Sequence, residues 1–197
     1  MVPGLFAYGA IFLIMTVSQS FTGERSAGLL RRINTTPITA SEFMVAQVIS
    51  NTVMAVLQVA LIFLTAFLLG YSPLGGPLGL AMAFLIVAIF SLCCVGFGLI
   101  TATVAKSAGA ATGLSFVFIM PMMFLGTFVS GMSPGTLSGT ASRFVPSFYV
   151  TDALTSLFLR GVPLSNFGII LDLIVVSICS VVVFFIGILL FRKYGNT

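Results

Sequence analysis

Residues 166–191 read NFGIILDLIVVSICSVVVFFIGILLF, and the basic pair Arg192-Lys193 follows them. Asp172 is the one charged side chain in this stretch. About 20 apolar residues are enough for a helix to cross the hydrocarbon core of a bilayer. The apolar residues do not alternate with polar ones, as the strands of a membrane barrel would require. The stretch therefore predicts a membrane-spanning helix.

The rest of the chain has the same character. Of its 197 residues 59% are hydrophobic and 6% are charged, whereas a soluble domain carries about 25% charged residues. In lipid the backbone must pair its own polar groups, as it does in helices. We therefore expect an all-α integral membrane protein, a single transmembrane domain built as a bundle of about five helices. The predicted spans are 5–21, 42–70, 78–105, 109–131 and 166–191.

The charges between the spans predict an orientation in the plasma membrane. Lys and Arg concentrate on the cytoplasmic side of multi-pass proteins. Most of the cations here fall on one side, which places the C-terminus in the cytoplasm and the N-terminus outside. Because an external N-terminus is unusual for a chain without its own signal, we expect that an N-terminal first span is missing from this sequence. The cations on the predicted cytoplasmic side are Arg25, Arg31, Arg32, Lys106, Arg192 and Lys193.

Several classes of function are excluded by what the sequence lacks. It has no His, so neither a His metal site nor a Ser-His-Asp triad can form. Ala105-Lys106-Ser107 lacks the glycines of a phosphate-binding loop. The cysteines Cys93, Cys94 and Cys179 lie in apolar stretches and are interpreted as small apolar fillers. We predict no enzyme, no metal, no cofactor and no nucleic-acid partner, since the excess cations flank spans, where they contact lipid headgroups.

Residues 22–36, TGERSAGLLRRINTT, predict a cytoplasmic helix that ends before Pro37. At 100° per residue the leucines and the isoleucine fall on one side and most charges on the other, which makes the helix amphipathic. Thr22 is the expected N-cap, and Glu24 suits the positive end of a helix. The residues alone leave two roles open: a helix lying on anionic lipid, or a lever that receives force from a cytoplasmic partner.

Polar side chains inside the predicted spans are candidates for function. Gln47, Asn51 and Gln58 share one face of the second span. They either form hydrogen bonds between helices or line a substrate path. Asp172 is a functional candidate because charges inside a bilayer are costly, and its alternative is a buried hydrogen bond near the outer interface.

The fourth span begins with a G-x-x-x-G pattern, Gly109 and Gly113, which we interpret as helix packing. Pro121 is expected to kink the same helix. Residues 132–165, predicted to lie outside, mix Gly and Pro with apolar residues and predict a pair of short re-entrant or interfacial helices. Within them, Phe148 and Tyr149 are either an outer gate or aromatic anchors at the membrane interface.

Two stretches resemble the permeases of ABC-2 type transporters. Glu24-Arg25-x-x-Gly28-x-Leu30-x-x-Ile33-x-x-Thr36-Pro37 is similar to that family's E-R-E-x-G-T-L-x-x-L-x-x-T-P pattern, although Ser26 and Leu29 depart from it. Val2-Pro3-Gly4 and Tyr8 resemble the entry to the family's second span. The second stretch comprises 128–132, 144–154 and Arg160-Gly161, and it resembles the segment between the last two spans.

This resemblance implies the membrane permease of an ABC exporter for an amphipathic or lipid-like substrate, with multidrug export as an example. A partner ATPase subunit would bind and hydrolyse ATP, and a second permease chain would complete a homodimer or heterodimer. The alternative is a secondary transporter or channel that uses Asp172 as an ion site. The residues expected to couple to the ATPase are Glu24, Arg25, Gly28, Leu30, Arg31, Thr36 and Pro37.

Overall fold

A computed structural model describes residues 2–26, 40–68, 70, 76–128, 137–161 and 166–194. All regular elements of these residues are helices, which confirms the predicted all-α class. In chain order they are α1 Val2–Ile11, α2 Leu13–Ser26, α3 Ala40–Leu68, α4 Gly76–Val104, α5 Ala108–Pro121, a π-helix Met122–Phe128, α6 Leu137–Ser142, α7 Pro146–Phe158 and α8 Phe167–Tyr194.

Four stretches of the described helices are long and apolar enough to cross a membrane. Helix α3 corresponds to the predicted span 42–70, but its apolar part, Ile49–Thr65, is shorter than these four. Glu42 and the amides that follow it make the first turns of α3 more polar. With 29 residues, α3 is nevertheless roughly 43 Å long at about 1.5 Å per residue. The four stretches are Gly4–Arg25, Leu78–Val104, Ala108–Gly126 and Phe167–Leu190.

The first span consists of α1 and α2, which meet at Phe12, whose carbonyl accepts two backbone hydrogen bonds of 3.1 and 3.3 Å. Helix α2 continues beyond the predicted boundary to Ser26. Thr22, predicted to cap a separate helix, is buried within α2 at 2% exposure, and Glu24 lies in its last turn. This part of the prediction is wrong, because the helical backbone continues where the sequence becomes polar. Residues 27–36 of the predicted amphipathic helix lie outside the described residues.

Helix α4 is the centre of the bundle and contacts α1, α2, α3, α5, α7 and α8. Its most extensive contact, with α8, is made through glycine. A Cβ atom placed on Gly187 would lie 2.6 Å from the carbonyl oxygen of Gly96. One placed on Gly96 would lie 2.8 Å from backbone atoms of Val183 and Phe184. The two backbones therefore touch, as small residues permit between membrane helices.

The G-x-x-x-G pair of α5 makes no such contact. Gly109 and Gly113 are exposed, and nothing lies within 4 Å of a Cβ placed on either of them. Close packing through this pair is therefore not found among the described residues. Close packing with α2 is made by α4 instead, because a Cβ on Gly98 of α4 would lie 2.7 Å from the Cβ of Val17 in α2.

Aromatic rings of four helices, α1, α3, α4 and α7, pack together. The ring of Phe63 in α3 lies 4.3 Å from that of Phe6 in α1, centroid to centroid, and 5.9 Å from that of Phe158 in α7. Phe84 of α4 completes the group at 6.2 Å from Phe63. Phe6 and Phe158 are each 2% exposed. Contacts of this kind contribute about 0.5–1.5 kcal/mol beyond the apolar area that they bury.

The outer faces of α3 and α8 are apolar, as contact with lipid requires. Large hydrophobic side chains project from both helices along their length. They are Ile49, Val53, Met54, Leu57, Leu61, Leu64, Phe67 and Leu68 on α3, and Phe167, Ile170, Leu171, Ile174, Ile178, Val181, Val182, Phe185, Ile186 and Leu189 on α8.

Replacement of Gly96 by alanine should loosen the contact between α4 and α8. The added methyl group meets backbone atoms, which cannot rotate away, so we expect Gly96→Ala to destabilise the protein by about 1–3 kcal/mol. The measurement is the fraction of purified protein that stays monodisperse in detergent after heating. Gly79→Ala is the matched control, because a Cβ at Gly79 in the same helix meets nothing within 4 Å. Equal heat resistance of the two variants would contradict this account of the packing.

Candidate functional site

The predicted coupling residues begin at the end of α2. Glu24 accepts a hydrogen bond of 3.4 Å from the hydroxyl of Ser20. Arg25 lies in the last turn, where a cation interacts favourably with the negative end of the helix dipole. Coupling by these residues stays a prediction. The other predicted members, Gly28, Leu30, Arg31, Thr36 and Pro37, lie outside the described residues.

The amides of α3 include one clear bond between helices. The Nε2 atom of Gln58 donates a hydrogen bond of 3.0 Å to the carbonyl oxygen of Gly9 in α1. Asn51 is buried at 9% exposure, and the side chain of Gln47 lies outside the described part of α3. For Gln58 the geometry favours helix-to-helix bonding over a free surface on a substrate path.

A second polar link was not predicted from the sequence. The Nε2 atom of Gln19 in α2 donates a hydrogen bond of 2.7 Å to the Oγ1 atom of Thr112 in α5. The amide of Gln19 within the first predicted span could have indicated this bond, since amides inside a bilayer form hydrogen bonds between helices. The bond ties the end of α2 that carries the predicted coupling residues to the start of α5.

Pro121 changes the form of the helix that contains it. Proline has no backbone N–H to donate, and after Pro121 the chain continues as a π-helix, a form that often marks functional sites. Here the Oγ atom of Ser147 in α7 donates a hydrogen bond of 2.7 Å to the carbonyl oxygen of Met122. Gly126 lies against the same serine, because a Cβ on Gly126 would be 2.6 Å from the Cβ of Ser147. The first turn of α7 therefore rests directly on the π-helix.

The segment predicted to lie outside, 132–165, forms two short helices, α6 and α7, in its described part, as predicted. Helix α7 begins with Pro146, a residue suited to the first turn, and packs against α1, α4, α8 and the π-helix. Most of its side chains are buried. It is therefore an internal part of the bundle.

The proposed gate residues lie near the start of α7. The rings of Phe148 and Tyr149 are 5.5 Å apart and nearly perpendicular, at 87°. The hydroxyl of Tyr149 donates a hydrogen bond of 2.9 Å to the carbonyl oxygen of Arg143, in the turn before α7. Both side chains are half-buried. This geometry fixes Tyr149 in place and is compatible with a gate as well as with an interfacial anchor.

A polar group lies where the later turns of α7 meet the first turns of α8. Asp152 and Ser156 are one turn apart on α7, and Arg160 follows the helix end. The Nη1 atom of Arg160 lies 3.7 Å from the Oδ1 atom of Asp152 and 3.4 Å from the Oγ atom of Ser156. Asp172, in the second turn of α8, is 7% exposed. From the sequence, only Asp172 of this group was predicted to be functional. The spacing of four residues between Asp152, Ser156 and Arg160 could have indicated that these side chains lie on one face of a helix.

Comparison with known proteins identifies similar chains. Residues 1–159 match the ABC-2 type transporter family. The probable multidrug ABC transporter permease YbhS of Escherichia coli strain K12 is 27% identical over 189 residues, which cover 91% of this chain and 48% of YbhS. The probable multidrug ABC transporter permease YbhR of the same strain is 28% identical over 130 residues, 66% of this chain and 35% of YbhR. The chain thus spans about half the length of YbhS.

Replacement of Gly126 by alanine should displace α7 from the π-helix, because the new methyl group would collide with Ser147. We expect a loss of about 1–3 kcal/mol in stability, measured as a lower midpoint of heat-induced aggregation in detergent. The double variant Gly126→Ala/Ser147→Gly removes the colliding atoms and should recover part of that loss. A double variant that is less stable than Gly126→Ala alone would rule out this contact as the cause.

Proposed function

The chain belongs to the ABC-2 type transporter family, and we propose that it is the membrane permease subunit of an ATP-binding cassette exporter. The observation that carries this proposal is the family match over residues 1–159, which takes in helices α1 to α7. The similarity to YbhS and YbhR, both named as probable multidrug ABC transporter permeases, supports an amphipathic or lipid-like substrate. Membership of the family does not favour the alternative of a secondary transporter.

Energy for transport would come from a separate ATPase subunit, and the permease would act without catalytic residues of its own. The ATPase would dock on the segment that follows α2, with Glu24 and Arg25 at its border and Arg31 within it. Because α2 is a continuous helix from Leu13 to Ser26, a displacement of its C-terminal end would move the whole helix.

The contacts of α2 give this displacement a route across the bundle. Helix α2 is joined to α5 through Gln19 and Thr112. The π-helix begins at the residue after the end of α5, and α7 rests on it through Ser147. Helix α7 carries Phe148 and Tyr149, the proposed outer gate. Closure of two ATPase subunits on ATP would in this way reach the opposite side of the membrane.

A second permease chain, identical or homologous, would face this one and complete the path for the substrate. Gln47, Asn51, Gln58 and Asp172 are the polar candidates for that path. Gln58 has a structural partner in Gly9, so its contribution to the path requires that α1 and α3 separate during transport. Asp172 has no such bond among the described residues.

The proposed orientation places the C-terminus in the cytoplasm. Helices α4 and α8 run parallel, because Gly96 lies against Val183 and Phe184, and Leu99 lies against Gly187. Their C-terminal ends therefore share one side of the bundle. That side carries Lys106 and the pair Arg192-Lys193, as expected for the cytoplasmic side.

Reversal of charge in the docking segment should separate the permease from its ATPase. We expect the Arg25→Glu/Arg31→Glu variant to lose at least about tenfold in affinity, since a like charge in an interface costs several kcal/mol. The measurement is co-purification with the ATPase subunit encoded beside this chain. Arg143→Glu reverses an exposed charge in the turn before α7 and should leave the complex intact.

The same variants test transport. Proteoliposomes that contain both subunits should move an amphipathic dye only when ATP is supplied, and the Arg25→Glu/Arg31→Glu variant should not. Normal ATP-driven transport by that variant would disprove the coupling role. Failure of the unaltered chain to associate with any ATPase would disprove the exporter function.

A further inference from the structure

Two of the three cysteines lie on the sides of α4 and α8 that face each other. The two helices touch at glycine: a Cβ on Gly96 would lie 2.8 Å from the Cα of Phe184 and from the carbonyl carbon of Val183. Their backbones are thus close enough there for a disulfide, which joins Cα atoms about 4.4–6.8 Å apart. Because the helices run parallel, one turn back from this contact leads to Cys93 on α4 and Cys179 on α8.

Cys93 and Cys179 also lie on the same flank of the contact. Cys93 is fully buried and belongs to the hydrophobic cluster that contains Val176 of α8, and Cys179 packs against that cluster. On the other flank Leu99 and Phe184 pack in a separate cluster. The thiol of Cys93 donates a hydrogen bond to the sulfur of Cys179. The two sulfur atoms are therefore neighbours across the helix contact.

Both cysteines are free thiols, but they differ in access. Cys179 is half-buried near the middle of the span Phe167–Leu190. Val182 and Ile186, three and seven residues further along the same face, are 49% and 44% exposed on the lipid side of α8. An agent dissolved in the bilayer can therefore reach Cys179. Exchange with a water-soluble disulfide needs a thiolate, which is costly in lipid.

We propose that Cys93 and Cys179 form a disulfide in response to a lipid-soluble oxidant of the quinone class. Each thiol loses its hydrogen, one bond forms between the two sulfur atoms, and the quinone takes up both hydrogens with their electrons and becomes a quinol. The disulfide fixes α8 on α4. Because α7 packs against both helices, it also fixes the surface against which α7 would move during transport.

Oxidation of the pair would thus stop export. This regulatory consequence rests on the proposed function, whereas formation of the disulfide does not.

The first test counts thiols in the full chain in lipid nanodiscs, without ATP or an ATPase. The oxidant is duroquinone, whose ring is fully substituted and forms no adducts with thiols. After denaturation in detergent a maleimide mass tag labels every free thiol. The unaltered chain has three cysteines and should change from three tags to one, and a phosphine reductant should restore three. Water-soluble glutathione disulfide should leave three tags.

Single substitutions identify the pair. Cys93→Ala and Cys179→Ala should keep two tags after duroquinone, whereas Cys94→Ala should change from two tags to none. Cys94 is the matched control, because its side chain points about 100° further round α4 than that of Cys93. Loss of both tags from Cys93→Ala would overturn the assignment of the pair. Iodine, a stronger oxidant that also enters lipid, tests proximity: linkage by iodine alone would overturn the response to quinones, and linkage by neither would overturn the proposal.

The second test measures ATP-driven dye transport by the assembled complex in proteoliposomes. Duroquinone should stop transport by the unaltered chain and by Cys94→Ala, and it should leave transport by Cys93→Ala unchanged. Linkage without loss of transport would overturn the regulation and retain the disulfide. A complex that transports nothing even without oxidant would contradict the exporter, and the tag counts would still decide the disulfide.

Discussion

Membrane helices gain little from burying apolar side chains against one another, because lipid is as apolar as leucine. They stay together where their backbones approach closely enough for dense packing. In this protein that approach is made at α4, where Gly96 touches Gly187 of α8 and Gly98 receives Val17 of α2. Both neighbours are thereby fixed to one central helix. The positions of α5 and α7, which pack on α2 and α8, depend on these contacts.

Because the interior of a bilayer contains no water, the polar groups must find hydrogen-bond partners within the protein. Gln58 bonds to the backbone of α1, and Gln19 bonds to Thr112 of α5. At Pro121 the regular helix is interrupted, and Ser147 of α7 donates to a carbonyl of the π-helix that follows. This contact holds the short helix α7 in the bundle. The result is a continuous set of contacts from the end of α2 to the aromatic residues of α7.

Asp172 differs from these groups, because at 7% exposure it makes no hydrogen bond or ion pair with another described residue. It lies beside α7, at the opposite end of the helices from Glu24 and Arg25. The two ends therefore differ in charge: cations predominate at the proposed docking end, whereas the other end carries two cations, Arg143 and Arg160, and two carboxylates, Asp152 and Asp172.

The sequence by itself determined the all-α membrane class, because apolar length and scarcity of charge are local properties that lipid selects directly. The motifs around 24–37 and 144–154 also identified the family. Tertiary structure decided the rest. Polarity at Thr22 did not end α2, because backbone hydrogen bonds, not side-chain polarity, set the end of a helix. Gly109 and Gly113 matched a packing pattern, yet Gly96 and Gly187 make the contact, because many glycines permit close approach and only the arrangement of helices selects a pair. For the same reason Gln19 and Thr112, which are 93 positions apart in the chain, become partners only when α2 and α5 pack together.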